Sequence, residues 1–298
     1  MTAGTTAQEL RAAIDPFEGE RPRLLGLAYR MLGSVSDADD VVQEAWLRWQ
    51  RADRSALRSA PAWLTTVTTR LALDRIRSDR RRREEYVGPW LPEPLVCDAG
   101  PEARAEVSDS LTLGFLTVLD RLTPVERAVF LLADVFAVPF AEIARTVDKS
   151  DAACRQIASR ARRRIRADGP AHHASADRQL VDELVMALAA GDVDGVLSRL
   201  SPDVVCVSDG GATRRAARRP VLGARRVSRF LMNLCSRFRG QFTVRNVVVN
   251  GDPGIVVSVR GAVDLVAAFE VEGNAIQAIR IVRNPDKLRR AGAIVELV

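Results

Sequence analysis

The sequence predicts a multidomain chain: two all-α modules, the second a helix-turn-helix, then an α+β domain built on a curved antiparallel sheet. Three observations predict it. Apolar residues recur at three- and four-residue spacing from about Phe17 to Glu85, and again from about Glu106 to Ala167. Two breaks rich in Pro, Gly or both interrupt the chain, at Tyr86–Pro101 and at Asp168–Ser175. Beyond Ala176 two helical stretches give way to Val- and Ile-rich segments separated by glycine turns. A length of 298 residues suits two or three domains. The expected boundaries are 1–85, a linker at 86–105, 106–167, a second linker at 168–176, and 177–298.

In the first module Leu24, Leu27, Ala28, Met31 and Leu32 form one helical stripe. Gly33 and Ser34 break it. Ser36 is the expected N-cap of the next helix, with Asp37, Asp39 and Asp40 in its first turn. That helix carries Val41, Val42, Ala45, Trp46 and Trp49. Pro61 opens a third helix, apolar at first, that ends as an arginine run near Arg83. At helical spacing Trp46, Trp49 and Trp63 read as core.

The second module holds the clearest chemical signal. Thr123 and Glu126 make a capping box around Pro124, at the start of a helix with Phe130, Leu131, Val135 and Phe136 as its core. A short amphipathic helix follows from Phe140 to Val147. Asp148–Lys149–Ser150 is the turn, and a second helix runs from Asp151 to Arg166. Ala153, Ile157, Ala161 and Ile165 are its expected buried stripe. Ala152, Arg155, Gln156, Ser159, Arg160 and Arg163 then face outward, where Arg suits guanine and Gln suits adenine in a major groove.

The net charge of +6 is modest, but its arginines cluster at Arg75–Arg83 and Arg155–Arg166. Clustered guanidinium groups are the footprint of phosphate binding. Cys97, Cys154, Cys206 and Cys235 have no metal-ligand spacing, so no metal, redox site or cofactor is expected. No apolar run spans a bilayer and no signal peptide opens the chain, so a cytoplasmic location is expected.

In the last domain Val204–Ser208, Phe242–Asn250, Ile255–Val259, Val263–Val271 and Ala275–Val282 are strand candidates. Asp203, Asp209, Asp264 and Glu270 are its candidate bases. With no tyrosine in the domain and its nearest histidines, His172 and His173, in the linker, no acid partner is evident, and no enzyme is expected.

Two motif sets carry a family resemblance. Arg23–Gly33, Asp37–Trp46 and Ala62–Arg77 resemble region 2 of the sigma-70 family, in its extracytoplasmic-function (ECF) class. Leu122–Arg127, Glu142–Ala144 and Arg155–Arg162 resemble region 4. The resemblance implies an alternative sigma factor that binds core RNA polymerase and promoter DNA. It implies that Asp37, Asp39, Asp40 and Glu44 dock on the clamp helices of the largest subunit. The second module would meet the flap of the second subunit. Arg58, Thr65, Thr68, Arg70, Arg75 and Arg77 would take the −10 element, and the outward face of the second module's last helix the −35 element.

The last domain resembles the SnoaL-like, nuclear-transport-factor-2-like cone carried by a subgroup of these factors. Trp90–Leu91–Pro92–Glu93–Pro94 and Asn284–Pro285–Asp286–Lys287–Leu288 match two motifs expected of that subgroup. Asp209–Gly210–Gly211–Ala212–Thr213 matches a third in part, lacking its last glycine and its lysine. The resemblance implies regulatory contacts through Trp90, Pro92, Asp209, Gly210, Gly211, Asn284, Asp286 and Lys287. The expectation is that the linker and the Asp209 loop or the Asn284–Leu288 tail pack on the sigma modules and set their spacing. A ligand-responsive helix-turn-helix regulator is the alternative, and an anti-sigma partner or small ligand stays open.

Overall fold

A computed structural model describes residues 15–98, 111–168, 178–237 and 242–291. These divide into two compact units. The first takes the described residues up to Arg81 and Val118–Asp168; the second takes those in Arg82–Thr117 and from Gly169 onward.

In the first unit, helix α1 spans Pro16–Leu32. Asp15 caps it by accepting from the Phe17 N–H at 3.0 Å, and Gly33 ends it in the left-handed region at φ 68°. Helix α2 spans Val35–Arg51, and its N-cap is Ser34 rather than Ser36. The left-handed Gly33 leaves Ser34 extended, so the Ser34 hydroxyl is the one that reaches the Asp37 N–H. Helix α3 spans Ala60–Glu84. Leu24, Leu27, Met31, Val42, Trp49 and Leu64 are buried among these helices. Of the three tryptophans expected in the core only Trp49 is buried; Trp46 and Trp63 are half-buried, and the Trp49 and Trp63 rings meet at 5.7 Å, tilted by 51°.

Strand β1 spans Val96–Asp98 and helix α4 spans Leu113–Leu119. The start of the helical pattern expected from Glu106 lies outside the described residues, which resume at Leu111. Helix α5 spans Pro124–Phe130 and starts with the full Thr123–Glu126 capping box. A π-type turn, Leu131–Val135, widens its end. That turn moves Phe136 out of the expected core, to where the Arg23 and Arg30 guanidinium groups each lie 5.5 Å from its ring. Helices α6 (Phe140–Val147) and α7 (Asp151–Asp168) follow, joined by a left-handed Asp148. The second expected linker, with His172 and His173, lies outside the described residues from 169 to 177.

The second unit continues with helices α8 (Arg178–Ala190) and α9 (Val193–Leu197), then strands β2 (Leu200–Asp209) and β3 (Val221–Leu222). Helix α10 (Ala224–Ser236) precedes β4 (Phe242–Val249), β5 (Asp252–Val259), β6 (Ala262–Glu272), β7 (Ala275–Val282) and the single turn α11 (Pro285–Leu288). The strands form one sheet in the order β1-β4-β5-β6-β7-β2-β3. All pairings are antiparallel except β2 with β7, which run parallel, so the sheet is mixed rather than purely antiparallel. Bulges in the β2–β7, β5–β6 and β6–β7 pairings bend it.

Both faces of this sheet are covered. Ile255, Val257, Leu265, Ala267 and Phe269 pack under α8 and α10 with Leu184, Val227 and Leu231. The alternate residues Val256, Val266 and Ala268 pack on the other face with Leu91 and Val96 of the linker and with Leu288. Double coverage explains why β6 is buried almost without alternation. The Pro-rich linker is thus part of this unit: its Val96–Asp98 segment is the edge strand beside β4.

Candidate functional sites: a nucleic-acid interface and a linker clasp

On α7 the buried stripe is Cys154, Ala158 and Ala161, each fully buried, while Ala153, Ile157 and Ile165 are half-buried. Ala161 is buried as periodicity suggests, but Cys154 and Ala158 take the places expected of Ala153 and Ile157, because small side chains let α5 and α6 approach closely. Ala152, Arg155, Gln156, Ser159, Arg160 and Arg163 are all exposed. They form a continuous polar surface on the helix after the turn, where a helix-turn-helix reads base edges. Arg162 and Arg164 differ: they donate to Asp134 and to the capping-box Glu126, each at 2.8 Å, and so brace α7 against the preceding turns.

The expected −10 residues of α3 do not form one surface. Arg58 and Arg77 are exposed. Thr65 and Thr68 are buried, at 4 % and 0 % exposure, which corrects their expected place on a DNA-facing surface. The Thr65 hydroxyl donates to the Pro61 carbonyl at 2.7 Å and accepts from Arg23 at 2.9 Å, because this side of α3 packs on α1. Arg70 donates to the carbonyls of Arg145 and Thr146 at 2.7 and 3.1 Å, at the C-terminal end of α6. Thr66 and Thr146 share a hydrogen bond at 3.0 Å beside it. Arg75 is held by Asp37, with Asp40 at 3.6 Å and Asp79 at 3.5 Å.

Of the acidic residues on α2, Asp37 therefore serves Arg75 within the chain. Asp40 remains well exposed, with 66 % of its side chain accessible. Glu44 is at the surface, where Arg48 four residues on pairs with it at 3.0 Å; such exposed pairs hold weakly and exchange readily. Asp39 is half-buried.

The second site is a clasp on the linker. Asp209, at the end of β2, is 0 % exposed. Its carboxylate accepts from the Tyr86 hydroxyl at 2.6 Å, the Leu91 N–H at 2.9 Å, the Gly211 N–H at 3.0 Å and the Lys287 ammonium at 2.7 Å. Lys287 also donates to the Leu91 carbonyl. Its ammonium lies 4.1 Å from the Trp90 ring and 5.1 Å from that of Tyr86. Asn284 caps α11 through its oxygen and donates from its nitrogen to the Tyr86 hydroxyl at 2.7 Å. Burial, then the hydrogen bond to Asp209, raises the Tyr86 pKa well above the usual phenol range, so the hydroxyl stays a donor.

Gly210 and Gly211 permit this geometry. A Cβ on Gly210 would sit 2.2 Å from the Arg214 carbonyl oxygen, and one on Gly211, at φ 59°, 2.8 Å from the Asn284 side chain. Pro92 is buried beside Leu91. Asp286 departs from expectation: its carboxylate pairs with Arg289 at the surface, and only its N–H joins the Asn284 cap. Further along the linker, Leu95 donates to the Asn250 side chain and accepts from its N–H, both at 2.9 Å. Sequence reasoning missed Tyr86 and Asn250. Tyr86 left a faint signal, as one of two tyrosines and placed where the proline-rich break begins; Asn250 showed only as the first residue of an Asn–Gly turn.

The expected candidate bases of the C-terminal domain are mostly engaged. Asp264 pairs with Arg283 at 2.7 Å, Glu270 with Arg280, and Asp209 with Lys287. Asp203 is exposed.

The exposed polar face of α7, on the helix that follows a tight turn, fits the helix-turn-helix class of DNA-binding proteins. Residues 17–82 match Sigma-70 region 2 and residues 113–165 match Sigma-70, region 4. The ECF RNA polymerase sigma factor SigJ of Mycobacterium tuberculosis is 40 % identical over an alignment 294 residues long that covers 92 % of this chain and 92 % of its own. The probable ECF RNA polymerase sigma factor SigI of that organism is 32 % identical, over 91 % of this chain and 93 % of its own. The crystal structure of Mycobacterium tuberculosis SigJ superposes with a TM-score of 0.74 at 38 % identity, covering 92 % of this chain and 98 % of that one. The chain belongs to the ECF RNA polymerase sigma factors. Among the described residues no helix is long and apolar enough to cross a membrane.

Proposed function

We propose that this sigma factor is regulated by its own C-terminal domain, through the hold of that domain on the linker between region 2 and region 4. One observation carries the reading. The fully buried Asp209 takes hydrogen bonds from Tyr86, from the Leu91 backbone and from Lys287, so the linker is fixed to the domain at its main chain as well as its side chains. The clasp motifs were expected to pack on the sigma modules; their described contacts here are with the linker that joins those modules. A segment pinned in this way is no flexible tether.

Promoter engagement needs the linker to be free at some stage. The −35 and −10 elements lie about 25 base pairs apart, ~85 Å at 3.4 Å per pair. In the first unit α3 and α6 are within hydrogen-bond distance of each other. Region 2 and region 4 therefore part before both elements are engaged. In that open state α7 reads the −35 element through Arg155, Gln156, Ser159, Arg160 and Arg163, beside Ala152. Arg58, Arg77 and a released Arg70 and Arg75 follow the −10 strand, while Thr65 and Thr68 support α3 from within. Asp39, Asp40 and Glu44 dock on the clamp helices of the largest polymerase subunit, Asp37 joining them once Arg75 moves; region 4 meets the flap of the second subunit. The protein acts in the cytoplasm, where the polymerase is, and as an initiation factor rather than an enzyme.

Run-off transcription with core polymerase tests this. Asp209→Ala is expected to change promoter-specific transcript severalfold at unchanged affinity for core polymerase. Unchanged transcript, with the linker demonstrably released by hydrogen exchange, overturns the regulatory reading.

A further inference from the structure

The C-terminal domain contains a cavity that borders the clasp at Gly210 and Gly211 but is lined by none of the clasp's hydrogen-bonded side chains. Its volume is about 570 Å³, within the range of small-molecule sites. The loop after β2 forms one wall, the C-terminal end of α10 another, and linker residues Val87–Pro89 a third. Its charged lining residues are all arginines: Arg214, Arg215, Arg218, Arg237 and Arg283. Asp264 lies beneath them and pairs with Arg283 at 2.7 Å and Arg214 at 3.6 Å. No described carboxylate pairs with Arg215, Arg218 or Arg237.

The cationic loop is held in place. Arg283 donates to the Arg215 carbonyl at 2.9 Å, the Ala217 N–H donates to the Ser208 hydroxyl at 2.8 Å, and the Arg214 N–H to the Gly210 carbonyl at 3.0 Å. Guanidinium groups gathered on a fixed loop repel one another, and an anion between them relieves that repulsion. The remaining wall is mixed: Phe230, Leu234 and Ile281 give it an apolar stretch, beside Asn233, Ser208 and Thr213. Leu234 and Ile281 also line a second cavity of about 110 Å³, whose other walls are apolar apart from the thiol of Cys235. One end of the site is thus cationic, and its inner wall borders hydrocarbon space inside the cone.

We propose that this cavity binds a small amphipathic carboxylate. Its carboxylate is held by Arg215, Arg218 and Arg237, and its hydrocarbon body lies on Phe230, Leu234 and Ile281. The apolar stretch sets it apart from a site for inorganic phosphate or a nucleic-acid backbone, neither of which buries hydrocarbon. Because Val87, Gly88 and Pro89 line the same space, the bound molecule touches the linker immediately before the clasp. Binding itself does not depend on the regulatory reading.

Isothermal titration of the full-length protein with octanoate and with benzoate tests the site, with 1-octanol and inorganic phosphate as the comparison probes. At least one carboxylate is expected to bind saturably, with octanol and phosphate each roughly tenfold weaker or more. The exposed-residue variants R215Q/R218Q and R237Q are expected to weaken it by a similar factor with unchanged thermal melting. No saturable binding of either carboxylate at millimolar concentration overturns the proposal. So does equal binding of phosphate or of octanol, or undiminished binding in both variants. Transcription measured with and without the bound probe separates this site from the clasp: carboxylate binding without an effect on transcript leaves the site standing and counts only against its link to the linker.

Discussion

The recognition face of the first unit and the clasp and sheet of the second use charge in opposite ways. The first turns it outward: Arg155, Arg160 and Arg163 on α7 are exposed, as are Asp40 and Arg58. The second turns it inward. Asp209 with Lys287, Asp264 with Arg283 and Glu270 with Arg280 are buried pairs whose side chains are at most 13 % exposed. Exposed charges keep their hydration, so they add little to stability and remain free to meet phosphates. Buried pairs have lost their hydration, and removing one partner strands the other. The contrast separates a surface made for a partner from an interior that holds a segment of its own chain.

The largest expected effect breaks the inward half of this contrast. Asp209→Ala leaves Lys287 buried without its carboxylate and should destabilise the second unit by about 3–5 kcal/mol. Hydrogen exchange over the linker checks it, because the Leu91 amide loses its acceptor; protection equal to the parent would refute it. The outward half is broken by Arg155→Ala with Gln156→Ala. If each side chain makes a bidentate base contact, worth about 1–3 kcal/mol of discrimination, transcription from a −35-dependent promoter falls tenfold or more. Melting and core-polymerase binding stay as in the parent.

Arg70→Ala sharpens the comparison, since Arg70 is exposed yet bonded to two α6 carbonyls. The loss of these bonds should loosen the first unit by about 1 kcal/mol or slightly more. Faster exchange at the end of α6, with the second unit unchanged, is the expected signature. Arg163→Ala gives the smallest effect. If Arg163 meets a phosphate, the slope of log affinity against log salt falls by about 1 while sequence preference is kept; an unaltered slope removes Arg163 from the interface.

Legibility followed the range of the interactions. The outward face of α7 was readable because six positions on one helix keep their spacing in any context. The Thr123–Glu126 capping box was readable because both partners lie within four residues. The burial of Thr65 and Thr68 was not, since polar threonines on an apolar-facing side of α3 look the same in sequence as those facing solvent. The buried stripe of α7 was placed correctly at Ala161 but one residue early at Ala153 and Ile157 for a related reason: small side chains such as Cys154 and Ala158 give weak hydropathy signals, and the closeness of the neighbouring helices decided which of them went inside.

Five of the seven described strands of the C-terminal sheet were legible, but not their pairing, and the two-residue β3 was not. Val- and Ile-rich segments with Asn–Gly and Gly–Asn turns specify extended chain and tight reversals locally. That β2 lies parallel to β7 depends on a long connection, and no local signal encodes it. Nor does one mark Val96–Asp98 as a strand, because three residues acquire that role only from the free edge of β4.

By itself the sequence determined two helical modules, a recognition helix with its polar face, and a third domain of curved sheet, because periodicity, caps and turns act over a few residues. Only the tertiary structure decided which charges face outward and which are buried. Asp209 meets Tyr86 across 123 positions and Lys287 across 78, and contacts at such separation exist only once the sheet has closed and excluded water from them.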